Sequence, residues 1–155
     1  MEHPPAIERH IEATVEAILV ARQGLPGALL PVLHDIQDAV GHIPPESVPL
    51  IARQLNLSRA EVHGVISYYP HFRQTPPGRH VVRVCCAEAC QAVGGEALAE
   101  HARTRLEGSG LTLEPVYCLG LCAIGPALQI DETTLHARVT PERFDALMAA
   151  LAAGP

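Results

Sequence analysis

Apolar residues recur at Ile7, Ile11, Val15, Ile18 and Leu19, a spacing that lays one stripe along a helix until Gly24 and Pro26 interrupt it. A second helix is expected from about Leu29 to Val40, with Leu30, Leu33, Ile36 and Val40 facing inward and Pro31 tolerated in the first turn. Gly41 is placed to end it. Pro44 and Pro45 open a third, short helix containing Val48, Ile51 and Leu55. Ser58-Arg59-Ala60-Glu61 has the capping-box pattern, in which the hydroxyl accepts from the amide three residues on and the carboxylate reaches back. A fourth helix through Val62, Val65 and Ile66 should follow.

Gln74-Thr75-Pro76-Pro77-Gly78 is a turn-rich break, and beyond it the pattern changes. His80 to Val84 reads as a short strand, and Glu96 to Leu106 as a helix with Leu98, Ala99, Ala102 and Leu106 on one face. Leu111 to Tyr117, Ala127 to Ile130 and Leu135 to Val139 are again strand-like. Thr140 as N-cap and Pro141 in the first turn begin a last helix, whose buried stripe is Phe144, Leu147, Met148 and Leu151 and whose Ala-rich end looks frayed. The order strand, helix, strand, then strand, strand, helix implies a small open sheet flanked by helices, the element order of a thioredoxin-like fold. The fold class is therefore α+β, with a helical segment over residues 1–76 and the sheet domain over 77–155. The leading helices are too short and few for a comfortable core alone. They are expected to gain stability by packing on the second part or on a partner through Ile36, Val40, Ile51 and Leu55.

Composition narrows the function. An apolar fraction of 48% can fill a core, and with no Trp, two Phe and three Tyr that core must be mostly aliphatic. The net charge of −6, with 11 basic residues, all Arg and nowhere in a run, argues against a nucleic-acid surface. Met1-Glu2-His3-Pro4-Pro5 lacks the order of a signal peptide, and no apolar stretch approaches the roughly 20 residues that cross a bilayer. A cytoplasmic protein without direct membrane insertion is expected. In that compartment an odd set of five cysteines suggests a metal site, not a disulfide framework.

All five lie between positions 85 and 122. Cys85 and Cys90 are separated by four residues, Cys118 and Cys122 by three, and 27 lie between the pairs. A crossover helix in that interval would return both pairs to the carboxyl end of the sheet, where open α/β sheets gather ligands. Each iron of a two-iron, two-sulfide cluster keeps two outer positions, so Cys85, Cys90, Cys118 and Cys122 complete the set. Gly120 and Gly125 are expected to let the backbone curl around the cluster and aim amides at sulfur, with Leu119, Leu121 and Ile124 limiting water access. Structural zinc is the competing use of four thiolates, although neither pair has its tight two-residue spacing. Without a Cys-x-x-Cys, a redox dithiol is weaker still. Cys86, next along the strand, should start toward the opposite face as a small buried hydrophobe, while a swap of roles with Cys85 stays open. The nine histidines, His34, His42, His63, His71, His80 and His101 among them, show no ligand pairing, which sets aside a Rieske-type centre. Asp35 reads as a solvated charge and Glu61 as a cap, so no catalytic residue is assigned.

Cys85-x4-Cys90 and Cys118-x3-Cys122 after a helical segment resemble the thioredoxin-like two-iron ferredoxin subunits of NADH dehydrogenases. That family includes the peripheral two-iron subunit of respiratory complex I and its counterparts in NAD-reducing hydrogenases and formate dehydrogenases. The resemblance runs from about Leu30 to Leu147. Leu30 to Asp38, Glu61 to Tyr69 and Cys86 to Gly95 are most similar to the gamma subunits of soluble NAD-dependent formate dehydrogenases. The resemblance implies one [2Fe–2S] cluster on this chain and single-electron exchange with an FMN-containing, NADH-binding partner. It further implies a larger molybdenum- or tungsten-dependent formate-oxidising subunit. FMN and NAD would lie on the partner, since no Gly-rich dinucleotide loop is visible here. The helical segment would dock the flavoprotein.

Overall fold

The computed structural model describes residues 6–153, with side chains from Arg9 to Ala153. The opening Met1–Pro5 and the side chain of Ile7, expected on the first helical stripe, lie outside them. The chain divides between Pro76 and Pro77 into two compact units.

The first unit is helical: α1 (Ala6–Ala21), α2 (Leu29–Val40), α3 (Val48–Gln54) after a 3-10 turn at Pro45–Ser47, and α4 (Arg59–Tyr68). Gly41 ends α2 at φ +87°, its amide donating to Gln37 O, in a left-handed conformation that glycine adopts at no steric cost. The capping box of α4 forms in both directions: Ser58 Oγ accepts from Glu61 N at 3.1 Å, and Glu61 Oε2 accepts from Ser58 N at 2.8 Å.

These helices do make a core of their own. Val15, Leu19, Val32, Leu33, Ile36, Ile43, Ile51, Val62 and Ile66 are among its buried members, with Leu30, Val40 and Leu55 packed half-buried against it. Ile36 and Ile51 are therefore spent inside this unit and are not offered outward. The inner face of α2 is also rotated from the expected stripe toward Val32, Leu33, Ile36 and Gln37. Gln37 can be buried because its amide is used at both ends, Nε2 donating to His71 O at 2.7 Å and Oε1 accepting from Arg73 N at 2.8 Å. Asp35 is not merely solvated, since it accepts from Arg22 Nε at 2.6 Å and Nη2 at 3.0 Å, tying the turn after α1 to α2.

The second unit runs β1 (Val81–Cys85), α5 (Glu88–Gln91), α6 (Gly95–Leu106), β2 (Thr112–Val116), β3 (Leu128–Ile130), β4 (Thr134–His136) and α7 (Pro141–Ala153). Sheet order is β2-β1-β3-β4, with β1 parallel to β2 and the other two pairs antiparallel. This is the thioredoxin-like open sheet. The strand expected at Leu135 to Val139 is displaced to Thr134–His136, and helix α7 continues through the Ala-rich end to Ala153.

Alternation along β1 turns Val82 and Val84 to the face covered by α6 and α7, where they meet Leu98, Ala102, Leu106, Phe144 and Met148. Fully burying a side chain such as Leu98 or Phe144 contributes about 1.5–3 kcal/mol each. Thr140 caps α7, its Oγ1 accepting from Arg143 N at 3.2 Å. The parallel β1–β2 pair sets Cys85 opposite Val116, so the chain leaves both strands at the same end.

Candidate metal centre

Cys85 is the last residue of β1, and its amide donates to Ala127 O at 3.0 Å. Two residues on, the chain turns into α5, a single helical turn that apolar periodicity does not reveal because it is only four residues long. That turn carries Cys90, whose amide donates to Ala87 O at 2.9 Å. Both thiols are 2% exposed and pack with Ala127 under Ala87, Val116, Leu119 and Leu121.

Beyond β2 the second pair lies on a loop. Cys118 adopts φ +102° and Gly120 φ +77°, and the Gly125–Pro126 peptide is cis. A non-glycine residue at so positive a φ is uncommon and marks a shape held by its surroundings. The left-handed Gly120 lets its amide donate to Cys118 Sγ at 3.3 Å, as expected of it. Gly125 differs: at φ −63° and ψ 173° it is in a conformation open to any residue. Cys118 and Cys122 are exposed, with their sulfurs 3.6 Å apart, and Ile124 is 38% exposed, so the loop adds Leu119 and Leu121, but not Ile124, to the apolar cover of the inner pair.

The thiols sense one another across both pairs. Burial pushes the Cys85 thiol up, yet backbone donors at Ala87, Leu119 and Cys118 and the thiol of Cys90 outweigh it and lower it. Cys90 is raised by burial and then by Cys85, and the charge of Cys122 adds to this. Cys122 is raised first by its hydrogen bond with Cys118, and the charge of Cys85 contributes. The four thiols thus come from β1, α5 and the loop after β2, near enough for the charge of one pair to act on the other, with amides supplied to the inner ones. Two cysteine pairs supply the four thiolates that the outer positions of two irons bridged by sulfide take up.

Cys86 is placed elsewhere. Its side chain, half-buried, joins Val84, Ala99, Arg103 and Leu113 around a hollow on the helix-covered side, and burial raises its pKa.

The sequence pattern of the thioredoxin-like [2Fe-2S] ferredoxins matches residues 15–152. The chain belongs to that family. Its cofactor is one [2Fe–2S] cluster, and the donor set described above fits it. NADH-quinone oxidoreductase subunit 2 of Thermus thermophilus is 32% identical over 140 residues, 85% of this ferredoxin and 77% of the relative. A second NADH-quinone oxidoreductase subunit, from Pseudomonas aeruginosa, is 34% identical over 132 residues, 79% and 78% of the two chains. Among solved structures, an NAD+-reducing [NiFe]-hydrogenase shares the fold at TM-score 0.61 and 24% identity. The alignment covers 83% of the ferredoxin but only 23% of the hydrogenase chain. Among the described residues of the ferredoxin no helix is long and apolar enough to cross a membrane.

Proposed function

We propose that Cys85, Cys90, Cys118 and Cys122 ligate the cluster, and that the protein is a non-catalytic electron-transfer subunit of an NADH-dehydrogenase module. The convergence of the two cysteine pairs carries this reading, and the two NADH-quinone oxidoreductase relatives support it. When bound, the cluster supplies a centre that takes up and releases one electron at a time. The chain's own part is to hold the inner sulfurs away from water and leave the outer pair at the surface. Cys118 and Cys122 are then the edge at which electrons enter and leave.

In this reading the partner is an FMN-containing, NADH-binding flavoprotein in the cytoplasm. The first unit is the docking part. An apolar groove of about 800 Å³ on it, lined by Leu25, Leu29, Leu55, Val65, Tyr68 and Tyr69, supports that role, as does the 78% exposure of Tyr68. At the finer level, the segments Leu30 to Asp38, Glu61 to Tyr69 and Cys86 to Gly95 favour a soluble NAD-dependent formate dehydrogenase, with a larger molybdenum- or tungsten-dependent subunit completing the complex.

Purification of the tagged chain from its native cell under anaerobic conditions tests all levels. Two irons and two labile sulfides per chain, with FMN in the co-purifying flavoprotein and formate-dependent NAD reduction, are expected. A colourless protein with one zinc per chain overturns the cluster reading. Hydrogen- or quinone-dependent activity in place of formate keeps the cluster and overturns the parent complex.

A further inference from the structure

The loop between Cys85 and Cys90 is closed by one side chain. Gln91, exposed at the end of α5, reaches back and donates from Nε2 to the carbonyl of Cys86 at 2.7 Å. Its backbone is held at the same place, since Gln91 N donates to Ala87 O at 3.0 Å and Cys90 N donates there at 2.9 Å. Cys86 O and Ala87 N are the two ends of one peptide group. A trans peptide is planar, so its oxygen and its hydrogen point to opposite sides. On the hydrogen side stands the Cys85 thiol, to which the Ala87 amide donates. A single peptide therefore connects the Gln91 side chain to the Cys85 sulfur.

We infer that Gln91 is a positioning residue of the cluster: it fixes the plane of the Cys86–Ala87 peptide, aims the Ala87 hydrogen at the Cys85 sulfur and so raises the reduction potential. The inference rests on Cys85 being a ligand. Net charge and hydrogen bonds to the sulfurs help set the potential of such a cluster. An added electron makes the sulfurs more negative, so a donor aimed at one of them favours the reduced state. A hydrogen bond accepted at a peptide oxygen also polarises that peptide and strengthens its N–H as a donor. Without Gln91 the peptide loses both the restraint and the polarisation, and the added electron is held less tightly. The bonds from Cys85 N to Ala127 O and from Cys86 N to Val116 O belong to other peptides, so the start of the loop stays anchored to the sheet.

The test is Gln91→Met in the full chain, a substitution of similar length without a donor, alone and combined with Ala87→Pro. Ala87 has φ −76°, within the range of proline, so Ala87→Pro deletes the donor to sulfur while keeping the backbone angle. Iron per chain, far-ultraviolet circular dichroism and the midpoint potential, from a redox titration followed by electron paramagnetic resonance, are measured. Gln91→Met is expected to keep wild-type iron and secondary structure and to show a lower potential. Ala87→Pro is expected to lower the potential at least as far. Adding Gln91→Met to it should then change nothing, because two residues acting through one contact are not additive. A wild-type or raised potential in Gln91→Met overturns the inference, as does loss of iron or secondary structure in that variant. A further shift in the double variant also overturns it, since Gln91 then acts by another route. A normal cluster in a Cys85→Ser control instead overturns the ligand assignment itself, and the inference with it.

Discussion

Arg83 and Glu114 face each other across the parallel β1–β2 pair, Nε to Oε2 at 3.0 Å, with only 10% and 12% of their side chains exposed. Arg83 points away from the apolar face that Val82 and Val84 share. Its Nη1 reaches Gln129 Oε1 and the carbonyl of Asp131, and its Nη2 lies 3.6 Å from Oε1 of the exposed Glu132. Taking Glu114 out leaves a nearly buried guanidinium with only the exposed Glu132 as its acid partner, so Glu114→Ala should destabilise the second unit by about 1–3 kcal/mol. Replacing both with apolar residues of similar volume, Arg83→Met with Glu114→Leu, should come back close to wild type, since the desolvation penalty disappears with the charges. Urea unfolding of the three variants measures this. A double variant as unstable as Glu114→Ala shows that the pair's geometry, not its charge balance, holds the sheet edge.

The four proposed ligands and Cys86 should separate cleanly by substitution. Serine at Cys85, Cys90, Cys118 or Cys122 is expected to cut iron per chain sharply, whereas Cys86→Ala should leave it near wild type. The side chain of Cys86 looks toward Ala99 and Arg103, while Cys85 and Cys90 pack together with Ala127. Iron assay and visible absorption across the five variants decide it. Retention in Cys85→Ser with loss in Cys86→Ala reverses the roles of the neighbours.

What can be read in the sequence is local. The Ser58–Glu61 box, the Gly41 stop and the Thr140 cap each involve residues at most four apart, so their chemistry is visible without the fold. The thioredoxin-like sheet is legible from element order, and the cysteine spacing draws attention to the right region. Long-range pairings are not legible. Gln37 is buried only because His71 and Arg73 come to it from more than thirty positions away, and Asp35 meets Arg22 from the turn after α1. At the site, the unequal exposure of the two cysteine pairs depends on Ala127 and Leu119 closing over one of them. Gly125 passes for a conformational glycine in the sequence, because only coordinates show that its φ is ordinary.

Acid should loosen the β3–β4 end of the sheet through Asp131. Its Oδ1 accepts from Val81 N at 3.0 Å and its Oδ2 lies 2.9 Å from His80 Nδ1. Burial pushes this carboxyl up, but those hydrogen bonds prevail and hold it below the usual carboxylate range. A depressed folded-state pKa means stability that is present above the unfolded value, near pH 4, and is lost as pH falls through the folded value. The side chain is 45% exposed, so solvent screens the effect to about 0.5–1 kcal/mol. Asp131→Asn tolerates the local φ of +52° and isolates the charge. At pH 7 the variant should be less stable by that amount, and once the pH has fallen below the depressed folded-state value the two proteins should converge. Urea unfolding of the cluster-free chains at both pH values provides the comparison, and a constant difference across pH counts against it.

The cluster should assemble on the second unit alone. Every cysteine lies beyond Pro77, and the amides that reach the inner sulfurs come from Ala87, Cys118, Leu119 and Ala127. The apolar residues on which the sheet rests, from Val82 to Met148, also fall within that unit. Its edge is well defined: Gly78 N donates to Thr112 Oγ1 at 2.7 Å, and a Cβ on Gly78 would strike Gly110 O at 2.2 Å. A fragment must therefore keep Gly78, and one beginning at Pro77 does. It is expected to fold, to show the visible spectrum of the full chain and to hold the same iron. The complementary fragment ending at Pro76 has its own buried set from Val15 to Phe72, large enough for a small domain to fold unaided. It should give helical circular dichroism, hold no iron and carry the contact with the flavoprotein in a pull-down. If the Pro77 fragment cannot retain iron, the helices belong to the cluster's folding unit. If that fragment captures the flavoprotein as well as the full chain does, docking belongs to the sheet domain, and the groove between Leu25 and Tyr69 serves something else.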